Sequence, residues 1–233
     1  MSDTQPHIAT STNSLNKLRA SVLGANDGIV STAGLVLGVT GAAAEKETIL
    51  LAGFAGLVAG AISMAAGEFV SVSSQRDSEK AFLKQKRAHI RQEHDSSIDE
   101  LVEIYQAKGI SKQTATQAAK ELAGNGTLDT ELQKEFGIDP DDLTNPWSAT
   151  IASAISFVIG AAVPLLAIAL APTEWQVPAT AIAVLLSLIL AGTLSARAGE
   201  ANKTRAALRI VVWGIGAMAI TYLIGHLVGA NIS

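Results

Sequence analysis

The chain has 233 residues and a formal net charge of −4. Only 16% of its residues are charged, against about 25% in an ordinary soluble domain. It is 48% hydrophobic yet only 4% aromatic, a composition of small and aliphatic residues that suits helices packed closely in lipid. The acidic balance excludes a basic nucleic-acid surface. The lack of cysteine excludes disulfides, thiolate metal sites and cysteine nucleophiles.

Residues 1–16 are polar and show no basic n-region followed by a short apolar core, so no cleavable signal is expected and the first span is retained. Residues 1–19 are assigned to an N-terminal tail and 20–76 to two membrane helices. A spanning helix needs about 20 predominantly apolar residues, and the segments near 24–44 and 48–72 qualify. The Glu45-Lys46-Glu47 turn joins them as an antiparallel hairpin.

Residues 77–146 are different in kind. They hold 14 of the 21 acidic and 9 of the 17 basic residues and read as a soluble insert. Leu83, Ile90, Ile98, Leu101 and Ile104 recur near helical spacing. Lys108-Gly109-Ile110-Ser111 supplies a Gly stop followed by a Ser N-cap, and a helix over 112–123 ends at Gly124-Asn125-Gly126. A further helix over 128–136 stops at Gly137, which makes three helices, the first continuous with span two. Residues 147–233 return to membrane sequence, with spans near 147–171, 177–196 and 207–229. The predicted fold is an all-α integral membrane protein of five transmembrane helices, with a three-helix cytoplasmic insert between helices two and three.

Basic residues mark the cytoplasmic side of a membrane protein. Lys17 and Arg19 precede span one, and Arg76, Lys80, Lys84, Lys86 and Arg87 follow span two. Arg197, Lys203, Arg205 and Arg209 fill the loop between spans four and five, whereas only Lys46 lies on the opposing side. This predicts a cytoplasmic N-terminus and insert and an external C-terminus.

Two carboxylates lie in the apolar stretches, and an ionised carboxylate in hydrocarbon costs several kcal/mol unless it is offset. Asp27 sits in Asn26-Asp27-Gly28, which reads either as a turn with a helix cap or as an intramembrane ligand. Glu68 is either a metal-attracting group at the cytosolic mouth or a snorkelling partner of Arg76. Met64 lies one helical turn before Glu68, and carboxylate oxygen with thioether sulfur suits a divalent transition metal. Gly34-xxx-Gly38 and Gly56-xxx-Gly60 offer either tight helix packing or the walls of a pore. His226 is the lone intramembrane histidine, and a second intramembrane Asp, which an aspartyl protease requires, is missing from the spans. No enzymatic activity is predicted.

Three segments carry a family resemblance: Gly24-Ala25-Asn26-Asp27-Gly28-Ile29-Val30; the run from Gly60 to Gln75 that includes Ser63-Met64-Ala65-Ala66-Gly67-Glu68-Phe69-Val70-Ser71; and Trp213-Gly214 with Thr221-Tyr222-Leu223-Ile224-Gly225. The chain resembles the vacuolar iron transporter family from Leu18 to Gly229. The resemblance implies a homodimer that exchanges cytosolic Fe²⁺, and often Mn²⁺, for protons, with no prosthetic group. It also implies a metal path at the dimer interface lined by Asp27 and Met64, with the lipid bilayer as surroundings. Plant-type members carry a Glu in span two where this chain has Gly56.

The family's insert gathers metal on glutamates and methionines. The corresponding positions here read Lys86, His89, Ser97, Glu100, Glu131, Leu132 and Glu135, of which Glu100 and Glu135 keep the expected carboxylate. The candidate metal ligands are therefore Asp27, Met64, Glu68, Glu100, Glu103 and Glu135, with Glu100 and Glu103 readable equally as a solvated helix face. The alternative to a transporter is a membrane scaffold whose insert binds a partner or metal.

Overall fold

The computed structural model describes residues 12–92, 94–125, 144–198 and 202–232. Among these residues the structure is helical, without strands: α1 (Thr12–Gly41), α2 (Lys46–Gln92), α3 (His94–Ala107), α4 (Lys112–Gly124), α5 (Pro146–Leu170), a 3₁₀ turn (Thr173–Trp175), α6 (Gln176–Ala198) and α7 (Lys203–Ile232). Five stretches are long and apolar enough to cross a membrane: Asn16–Gly41, Lys46–Gln85, Pro146–Leu170, Thr173–Arg197 and Ala207–Asn231. They coincide with the five segments read from the sequence.

The chain divides into two compact units, one of Ser14–Val70 with Pro146–Ser233 and one that includes Ser71–Asn145. In the first, buried Ile29, Ala33 and Leu37 of α1 pack with Val184 and Leu188 of α6 and Met218 of α7. A second cluster joins Val36, Ile49 and Ile168, from α1, α2 and α5. Met218 is thus a core residue, filling an irregular gap as unbranched side chains do. Lys46 donates to the Ala171 carbonyl at 3.0 Å, satisfying an acceptor just beyond the end of α5.

Asn26-Asp27-Gly28 is not a turn. It lies in the middle of α1, which begins more than ten residues earlier, so Asp27 caps nothing. The glycines there serve helix contact instead. A Cβ on Gly24 would run into the Ser153 carbonyl, one on Gly28 into the Phe157 carbonyl, and one on Gly160 into the Ala25 carbonyl. The α1 and α5 backbones therefore cross at a separation that only small residues permit. Gly34 and Gly38 similarly face Thr221 of α7. Gly56 and Gly60 behave differently: a Cβ there would meet the Leu35 side chain and the Phe157 ring, not a backbone. That pair makes room for side chains of α1 and α5 and not for a backbone.

In the second unit, Leu101 and Val102 of α3 pack on Ala115 and Ala119 of α4. Gly109 adopts φ +88 between the two helices, a conformation that Cβ disfavours in other residues. The Ser111 side chain accepts from the Thr114 N–H at 3.3 Å and caps α4. The Glu79 carboxylate accepts from the Thr144 hydroxyl at 3.3 Å. The helix expected over 128–136 and its Gly137 stop lie outside the described residues.

Candidate functional site

Antiparallel α1 and α2 enclose, with α5, a cleft of about 200 Å³ within the membrane unit. Asp27, Ser31 and Leu35 line it at four-residue spacing, which places them on one stripe of α1. Gly56, Gly60, Ser63 and Met64 line it from α2, and Phe157 closes one side from α5. Asp27 and Met64, separated by 37 positions in the chain, thus share one cavity.

Each wall has a local cause. Gly56 and Gly60 lack the side chains that would fill the space on the α2 side. Phe157 is 2% exposed, so its ring is a fixed wall. The Ser31 hydroxyl donates to the Asp27 carbonyl, which satisfies its proton within α1 and leaves its oxygen as an acceptor. Thr32 is buried beside them. Asp27 and Met64 are half-buried, accessible from the cleft but shielded from full exposure. The cavity therefore offers one carboxylate, one thioether and hydroxyl oxygens inside an apolar shell.

Glu68 is not part of that lining. It is 8% exposed and accepts from Arg19 Nη2 at 3.3 Å, while Arg19 is 57% exposed. Its partner is the cation that opens span one, not Arg76 as one reading of the sequence had it. The antiparallel hairpin brings the start of span one against the late turns of span two.

The remaining sequence candidates lie elsewhere. Glu100 is half-buried on α3 and Glu103 exposed on the same helix. Glu135 lies outside the described residues. Among the described residues no three His, Asp or Glu side chains converge as a metal site. His226 is exposed on α7. Sequence reasoning missed Ser31, Ser63 and Phe157 as lining residues and Arg19 as the partner of Glu68. The four-residue spacing from Asp27 was the available signal for Ser31; Phe157 had none, because it comes from a distant span.

Five apolar helices, three of which enclose a cleft that holds an acid and a thioether, define a polytopic α-helical membrane protein. The chain belongs to the VIT family, whose pattern matches residues 18–226. It is 37% identical over 211 residues to a protein of Acanthamoeba castellanii named vacuolar iron transporter, covering 90% of this chain and 78% of that one. It is 40% identical over 216 residues to vacuolar iron transporter homolog 3 of Arabidopsis thaliana, covering 92% and 84%. It is 37% identical over 209 residues to vacuolar iron transporter homolog 5 of Oryza sativa subsp. japonica, covering 89% and 78%. These relatives are named as transporters and not as enzymes.

Proposed function

We propose that this protein exports a divalent transition metal, Fe²⁺ and also Mn²⁺, from the cytosol in exchange for protons. The observation that carries the reading is the shared cleft of Asp27 and Met64. Oxygen and thioether donors together favour a transition ion such as Fe²⁺ over Mg²⁺ and Ca²⁺, which bind oxygen ligands alone, and Mn²⁺ accepts the same carboxylate. The names of the relatives support iron as cargo.

One carboxylate and one thioether under-fill the coordination sphere of such an ion. A two-fold dimer that joins two clefts doubles the set to two of each. Exposed Leu23 and Leu35 on α1, with Phe54, Val58 and Ile62 on α2, form an apolar surface beside the cleft that suits such a contact. Each Asp27 carboxyl holds a proton when empty and releases it as the metal binds. Two carboxyls thereby release two protons for one M²⁺, and the net charge of the site is unchanged. The basic residues support a cytosolic N-terminus and insert and an external C-terminus, and the bacterial-type pattern around Glu68 supports a bacterial plasma membrane. Glu100, Glu103 and Glu135 would raise the local cation concentration on the cytosolic side, and Glu68 would join them only where a metal displaces Arg19.

Purified protein in liposomes tests the reading. Fe²⁺ added on one side should drive proton movement in the opposite direction, and Asp27→Asn should abolish both fluxes without loss of folded protein. Unchanged flux in that variant overturns the assignment, and no flux in the parent protein favours the scaffold.

A further inference from the structure

A second cavity in the membrane unit, of about 470 Å³, is unlike the first. It runs along α1 from Leu18 to Ile29 and is walled by α5, α6 and α7. Its surface is largely apolar, with Ile159, Leu190 and Leu194 as half-open walls that are also exposed on the outer surface. The hydroxyls of Ser21 and Ser187 in its lining donate to the Lys17 and Ala183 carbonyls of their own helices, so they leave no unmet proton in the groove. The eleven helical steps from Leu18 to Ile29 span about 16 Å, close to the ~15 Å depth of one leaflet's hydrocarbon.

Charge is confined to one end. Lys17 precedes Leu18, Arg197 follows Ser195 by two residues, and Arg209 precedes Ile210, each neighbour being a lining residue. Leu18 lies near the start of α1, Ser195 near the end of α6 and Ile210 in the early turns of α7, so the three cations flank the same mouth. All three are exposed. Among the described residues none has a carboxylate partner, in contrast to Arg19 nearby in sequence, which holds Glu68.

We infer that this groove binds one acidic phospholipid, with an acyl chain along α1 and the phosphate over Lys17, Arg197 and Arg209. An apolar channel one leaflet deep, with cations only at its interfacial end that have no carboxylate partner among the described residues, matches that molecule in length and in charge. A zwitterionic lipid matches the channel but not the mouth, and a soluble phosphate matches the mouth but not the channel. Three cations near a membrane surface favour an acidic head group by on the order of a hundredfold.

The test uses the delipidated full-length protein in detergent, read by native mass spectrometry and thermal unfolding. Phosphatidylglycerol should give a single retained adduct and a raised Tm at concentrations where phosphatidylcholine gives neither. Lys17→Gln, Arg197→Gln and Arg209→Gln combined should erase the preference between the two lipids. Ser156→Phe, which fills the groove, should remove the phosphatidylglycerol adduct. Equal binding of the two lipids by the parent protein overturns the inference, as does a preference that survives the triple substitution. An equal rise in Tm from glycerol phosphate without acyl chains overturns it too. Should Ser156→Phe not fold, the surface triple decides alone.

Discussion

Arg19 Nη2 donates to Glu68 Oε1 at 3.3 Å and ties the start of α1 to the late membrane turns of α2. Only Glu68 is buried, so the two partners have different stakes. Arg19→Gln leaves a shielded carboxylate without its cation, and the expected loss is about 1 kcal/mol, limited by the exposure of Arg19. Glu68→Gln in the same chain should recover most of that loss. A double-mutant cycle read by Tm checks the coupling, and strictly additive losses would mean that the pair contributes nothing. The pair also sets a condition on any metal role for Glu68, since an arriving M²⁺ must displace the guanidinium. Arg19→Gln should then lower the apparent KM for metal, and Glu68→Gln should cancel that gain.

Met64 and Met218 show how differently two methionines serve. Met218 fills the core among α1, α6 and α7, whereas Met64 lines the cleft opposite Asp27. Met64→Leu conserves apolar volume, so the stability change should stay below about 1.5 kcal/mol. It removes the thioether, so transport of Fe²⁺ should become sensitive to excess Mg²⁺ or Ca²⁺. Competition assays in liposomes measure this directly. Undiminished selectivity would assign the discrimination to another group.

Five spans were legible in the sequence because apolar runs of helix length are a local signal, whereas the pairing of Asp27 with Met64 rested on the family resemblance. What stayed hidden depends on helices meeting far apart in the chain. Asn26-Asp27-Gly28 has turn composition, but Gly28 is small so that α5 can approach at Phe157. Gly34-xxx-Gly38 and Gly56-xxx-Gly60 are the same motif in sequence, yet the first abuts α7 and the second lines the cleft against the Leu35 and Phe157 side chains. Nothing within α2 distinguishes those outcomes. Arg19 likewise reads as a topogenic charge until the hairpin sets it against Glu68.

The unit that contains α3 and α4 has a small core, and two substitutions probe it at different depths. Ser111→Ala removes the cap bond to the Thr114 N–H and should cost about 1 kcal/mol. Leu101→Ala empties a fully buried position and should cost roughly 2–5 kcal/mol. Hydrogen exchange over 94–124 should accelerate modestly in the first variant and strongly in the second, with the membrane helices unchanged. Equal exchange in both would show that α3 and α4 do not fold around Leu101.

Gly56 and Gly60 offer a sharper test of the cleft, because they are one turn apart on the same helix and border different neighbours. A Cβ on Gly56 would meet the Cδ2 atom of Leu35, the far end of a flexible side chain that is itself exposed. Rotation of Leu35 relieves that contact, so Gly56→Ala should fold normally and keep most of its metal flux. A Cβ on Gly60 would meet the Phe157 ring. That ring is buried, and its own backbone is held by the close approach of Gly28, so it has no low-energy way to retreat. Gly60→Ala should therefore cost about 1–3 kcal/mol through overpacking and narrow the space between Asp27 and Met64. Metal flux should fall at least tenfold, in line with the steep dependence of site function on sub-ångström placement. Tm and flux measured side by side separate the two effects. If Gly60→Ala transports as well as Gly56→Ala, the Phe157 side of the cleft has no part in the metal path.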